Sequence, residues 1–211
     1  MDERQIKLAA GVVVIICLCG RWGEDFCLGR EIFTRQCEQR IPAFGDGRAW
    51  MEPVTLNVYE HGIITDIDVY LDITHSEVSD LWIFLDAPQG DNIILKDDEL
   101  AQSLWKGIHR PNMYGTIFDD SAELKLGEGV PPYTGRFKPA QEYSLSQFNS
   151  WDVYGEWTLR IYDIDGALAD TGFLHRWELQ VDLAPIPEPV SIFYLALPAF
   201  FIWRRKKGRY R

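Results

Sequence analysis

Residues 67–73 read Ile-Asp-Val-Tyr-Leu-Asp-Ile, and residues 81–86 read Leu-Trp-Ile-Phe-Leu-Asp. In the first stretch Ile67, Val69, Leu71 and Ile73 alternate with Asp66, Asp68, Tyr70 and Asp72. Successive side chains of a strand point to opposite faces, so this period of two predicts a half-buried strand. The second stretch is apolar at both parities and predicts a central strand. Ala87-Pro88-Gln89-Gly90 predicts a turn, from which Asn92–Leu95 returns. Further along, Trp157, Leu159 and Ile161 alternate with Thr158, Arg160 and Tyr162, and Trp177, Leu179 and Val181 with Glu178, Gln180 and Asp182. Short strands joined by polar, Gly-containing connections, with no long amphipathic helix, predict an all-β, jelly-roll-like β-sandwich.

The chain has 211 residues, room for one domain with short appendages. Eight Trp, eleven Phe and nine Tyr need burial, which excludes wholesale disorder. The formal charge of −11 argues against a nucleic-acid partner. That charge is uneven. Residues 21–184 hold 29 acidic and 13 basic side chains, a net of −16, whereas residues 204–211 carry six bases and no acid.

The two ends account for the asymmetry. Leu8 to Cys19 is an apolar run of twelve behind Arg4 and Lys7. As a helix it would reach about 18 Å, against roughly 30 Å of hydrocarbon. That length suits the core of a secretory signal, residues 1–20, with an uncleaved anchor or a buried segment as the alternatives. Residues 21–51 then form an N-terminal extension holding Cys27 and Cys37. Export implies an oxidising compartment, so the two are expected either to form a disulfide or to remain free thiols.

At the other end, Pro185, Pro187 and Pro189 stiffen a linker over residues 184–189. Residues 190–203 are apolar and are expected as a short transmembrane helix. Residues 204–211, with Arg204, Arg205, Lys206 and Lys207, form a basic stub held in the cytoplasm. The order Pro187-Glu188-Pro189, short apolar helix, basic stub resembles the bacterial PEP-CTERM sorting signal. The resemblance implies recognition and removal by an exosortase-type enzyme after passage through the secretion machinery. The body would first sit in the periplasm on an inner-membrane anchor and then reach the cell surface or the medium. A plain C-terminal tail anchor is the alternative.

The body, residues 52–183, resembles the P domain, or P/Homo B domain, of proprotein convertases and bacterial proteases. The resemblance rests on His75, Ser79-Asp80-Leu81, Pro88 with Gly90, and Phe118-Asp119-Asp120. It continues through Tyr133-Thr134-Gly135, Pro139, Gly155 with Trp157 and Leu159, Asp163, Asp170-Thr171-Gly172, and Trp177 with Leu179. It implies a jelly-roll sandwich that packs beside a protease without being the catalyst. The chain carries no His-Glu-x-x-His and no Gly-x-Ser-x-Gly, and its four His lack triad or zinc spacing. A non-enzyme is therefore expected.

Carboxylates are the main site candidates. Asp119 and Asp120 are adjacent, and Asp163, Asp165 and Asp170 share a Gly-containing stretch. Calcium takes six to eight oxygens from such clusters, and the family resemblance adds weight to calcium as the cofactor. Capping of loop backbone by Asp is the alternative. His75 and Asp80 are expected to brace the loop between the two strongest strands. Trp157 and Trp177 fall at inward positions, which leaves Trp105 and Trp151 as candidates for ligand stacking. The expected function is an exported, non-catalytic binding or structural protein, with extracellular polysaccharide as one partner. The alternatives are an accessory module for a separate subtilisin-like protease, or a carbohydrate-binding module.

Overall fold

The structure, a computed structural model, describes residues 29–43, 50–97, 111–140, 142–164 and 172–184. Among these residues nine strands form two sheets: β1 (Arg30–Ile41), β2 (Val54–Val58), β3 (Ile63–His75), β4 (Leu81–Asp86), β5 (Asn92–Lys96), β6 (Met113–Phe118), β7 (Gly135–Phe137), β8 (Gly155–Asp163) and β9 (Gly172–Ala184). The five-stranded sheet runs β1-β9-β3-β6-β7 and the four-stranded sheet β2-β8-β4-β5. All pairs are antiparallel except β6 with β7. Consecutive strands repeatedly change sheet, which is the jelly-roll connection pattern; β7 is a short addition at one edge.

The alternations translate directly into the core. Ile67, Val69, Leu71 and Ile73 on β3 face Trp157, Leu159 and Ile161 on β8, and all are at most 2% exposed. Trp157 and Trp177 are fully buried, as their parity predicts. Phe148 stands edge-on against Trp157, ring centroids 5.3 Å apart at 88°, a favourable aromatic geometry. The Trp157 indole N–H donates to the Val153 carbonyl at 2.9 Å, so its polar end is satisfied inside the core.

The sandwich starts earlier than residue 52. β1 lies in the stretch expected as an N-terminal extension, yet it is the edge strand of the five-stranded sheet, paired with β9 from Arg30↔Asp182 to Ile41↔Gly172. Its inward and outward positions are graded poorly, and a register shift between Gln36 and Gln39 breaks its alternation. An edge strand covered on one side carries little period-two signal.

Among the described residues no helix is long and apolar enough to cross a membrane. The signal segment 1–20, the linker 184–189 beyond Ala184 (which ends β9), the helix 190–203 and the stub 204–211 lie outside the described residues.

Candidate functional site

Among the described residues, the expected site carboxylates sit in different sheets. Asp119 follows β6 in the five-stranded sheet, while Asp163 ends β8 in the four-stranded one. Asp119 Oδ1 accepts from the Ser121 amide and hydroxyl, both at 2.7 Å, and its Oδ2 from Arg136 at 2.6 Å. Burial works to raise the Asp119 carboxyl, but the Ser121 and Arg136 hydrogen bonds outweigh it and hold the group below the usual range. Asp120 accepts from the Ser144 hydroxyl and from the amides of Leu145 and Ser146, which brackets the 3-10 turn Leu145–Phe148. These oxygens are engaged by an arginine, two hydroxyls and backbone N–H groups, the loop bracing weighed above as the alternative to calcium. Asp163 is fully buried, its Oδ2 3.5 Å from Nε2 of the equally buried His75. Among the described residues no three His, Cys, Asp or Glu side chains form a set that could hold a metal ion.

Trp151 is half-buried against the core and edge-on to Phe148 at 5.4 Å and 64°. Cys37 sits on β1 as a thiol whose Sγ lies 3.4 Å from the Leu174 carbonyl. Burial pushes this thiol up. Cys27, Trp105, Asp165, Asp170, Pro187, Glu188, Pro189, Arg204, Arg205, Lys206 and Lys207 lie outside the described residues.

The outer surface of the four-stranded sheet is the feature that sequence reasoning missed. The parity that buries Leu81, Ile83 and Leu85 turns Trp82, Phe84 and Asp86 outward. The same parity on β8 turns out Tyr162, Arg160 and Thr158. Tyr162 pairs with Trp82 across one rung and bridges Trp50 on its other side. Three aromatic residues therefore share one rung. Trp50 is 45% exposed and leans toward β4, with ring centroids 4.8 Å from Tyr162 and 5.5 Å from Phe84.

Arg160 fixes this arrangement. Its guanidinium carbon lies 5.4 Å from the Trp50 ring centroid and 5.1 Å from that of Phe84, within cation–π range of both. Two nitrogens of the same group donate to Asp86, at 2.5 and 2.7 Å. This fork raises the Arg160 pKa further, so the group stays charged and its charge is matched locally. The next rung is polar: Thr158 pairs with Asp86 and Thr55, and Asp86 pairs with Asn92. The face thus carries an aromatic stripe beside a hydroxyl, carboxylate and amide stripe.

The outer surface of the five-stranded sheet is different. Its central Asp68, fully buried although outward-facing, accepts from Arg30 of β1 and from Arg136 of β7. Burial pushes the Asp68 carboxyl up, against the pull of Arg136 and Arg30. These ion pairs staple both edge strands to β3. An open cleft of about 290 Å³ lies near Lys125, Lys138 and Tyr143.

No family model matches the chain, and no curated protein matches it. Several solved chains resemble it, two of them as follows. The serine protease of Aeromonas sobria is 16% identical with a TM-score of 0.37, over 71% of this chain and 27% of that one. The complex of that protease with its chaperone gives 17% identity and a TM-score of 0.38, over 73% and 27%. The chain spans little more than a quarter of the length of these relatives. At such TM-scores the likenesses identify neither a family nor an activity for it.

Proposed function

We propose that this chain is an exported, non-catalytic β-sandwich binding module that meets its partner through the outer face of the four-stranded sheet. The observation that carries this is Trp50: a tryptophan 45% exposed, held against Tyr162 and Phe84 and clamped by Arg160. Large aromatic rings fixed in place yet open to water are contact anchors, because little ordering entropy remains to be lost on binding. Export and surface sorting are supported by the sequence at the two ends. Calcium stabilisation belongs to the proposal only through Asp163 with Asp165 and Asp170, since Asp119 and Asp120 spend their oxygens on protein donors.

The test is cell fractionation with intact mass measurement of the mature chain, wild type beside Trp50→Ala. Removal of both ends and release of the variant from the envelope fraction are expected. Equal retention of the two proteins would remove the aromatic face as the contact surface. Co-purification of a protease with the wild type alone would make the module an accessory acting in trans.

A further inference from the structure

Resting on the reading that this face is the contact surface, we infer that its occupant is a neutral carbohydrate chain. Three features of the face point to a sugar. The first is the aromatic stripe, the exposed Trp50 beside the half-buried Tyr162 and Phe84, a surface of the kind that packs against the C–H side of a pyranose. The second is the rung next to Phe84, where Thr158 and Asn92 supply hydroxyl and amide groups to sugar hydroxyls around the Asp86–Arg160 pair. A pyranose carries one apolar side and a polar perimeter, and the two neighbouring stripes match that division. A protein partner favours an apolar centre ringed by polar residues, which this layout lacks.

The third feature is charge. Asp86 matches Arg160 through two hydrogen bonds, so the centre of the face is neutral. Residues 21–184 carry a net −16, so an anionic polymer is repelled before it arrives. A neutral glycan meets no such barrier. Sheet faces are also shallow, and neighbouring strands lie about 4.8 Å apart, which suits a polymer lying across the strands.

The experiment is a titration of the mature full chain with neutral gluco-, xylo- and manno-oligosaccharides and, separately, with uronic-acid oligomers, followed by NMR of the tryptophan indole N–H groups. Saturable shifts with a neutral oligosaccharide are expected, unchanged when salt is raised. Trp50→Ala and Phe84→Ala should each weaken binding by about tenfold or more. Tyr59→Ala, 75% exposed on the β2–β3 connection, should stay within about twofold of wild type. The melting temperature of each variant separates lost binding from lost fold. If no neutral glycan binds while envelope retention still depends on Trp50, the carbohydrate inference falls and the contact face stands, with a protein partner in its place. If retention is also independent of Trp50, both fall. Salt-sensitive binding confined to uronates overturns the neutral occupant.

Discussion

His75 Nε2 lies 3.5 Å from Asp163 Oδ2, and neither side chain is exposed at all. His75 ends β3 in one sheet and Asp163 ends β8 in the other, so the pair ties the two sheets together at one end of the sandwich. The other ring nitrogen, Nδ1, lies 2.8 Å from the Glu77 carbonyl, which fixes the ring. Both side chains are fully buried, so truncating either one leaves a cavity and takes a polar neighbour from the other. Asp163→Ala is expected to destabilise the fold by about 2 kcal/mol, and His75→Ala by a similar amount. The double variant should cost less than the two single costs added, because the two share one interaction. Urea midpoints of the four proteins check this; strict additivity would mean that the pair contributes nothing.

Gly172 packs where no side chain fits. A Cβ there would stand 2.0 Å from the Thr74 carbonyl oxygen and 2.7 Å from the His75 ring. Gly172→Ala should therefore cost about 3 kcal/mol, at the upper end for overpacking, and should disturb the His75 environment in NMR spectra. Gly29→Ala, with nothing within 4 Å, is the control and should leave the melt unchanged. A stable Gly172→Ala protein with an undisturbed His75 signal would contradict this packing.

Asp119 gives a pH dependence of known sign. Its carboxyl is held below the usual range in the fold, so the unfolded chain takes up its proton first. The stability it contributes is present above the ordinary Asp pKa of about 3.9 and is lost as pH falls through the lower, folded value. The difference in urea midpoint between wild type and Asp119→Asn should be constant near neutrality and shrink below about pH 4. A difference that grows on acidification would reverse the assignment.

The same residue and Asp120 discriminate bracing from metal binding. Both face protein donors, so Asp119→Asn and Asp120→Asn should lower the melting temperature equally in calcium and in chelator. A loss seen in calcium alone would return them to a ligand set.

The fold was legible where one face is buried and the other wet. β3, β8 and β9 each show that alternation, and their inward residues are those the parity selects. β1 was not legible, because an edge strand with a register shift has no clean parity. The aromatic face was hidden for a different reason. Leu81–Asp86 is apolar at both parities, and that pattern fits a strand covered on both sides as well as one carrying exposed rings. Only the pairing of Tyr162 with Trp82 and the bridge to Trp50, a residue far away in sequence, assembles the stripe. Trp151 looked free because a turn suggests exposure, yet Phe148 three residues earlier draws it onto the core.

Lys96 is the sharpest departure from simple alternation, and it yields the last prediction. On β5, Ile93 points in and Ile94 out, so Lys96 should point outward like Ile94. A register shift against β4, where Ile83 pairs with Lys96 and Phe84 with Ile94, places one extra residue on β5 and turns both Leu95 and Lys96 inward. The ammonium, on a residue only 3% exposed, is held by backbone oxygens: Ser79 at 3.2 Å, Asp97 at 2.8 Å, and Leu81. It thereby ties the 3-10 turn Val78–Asp80 and the start of β4 to the end of β5. Lys96→Met keeps most of the side-chain volume but takes a charged donor from these carbonyls, and should cost about 3 kcal/mol. Lys138→Met, on the bridge to Lys125 at the open cleft, should stay within about 0.5 kcal/mol. Urea midpoints measured side by side decide the matter: if the two substitutions cost the same, Lys96 does not hold the turn.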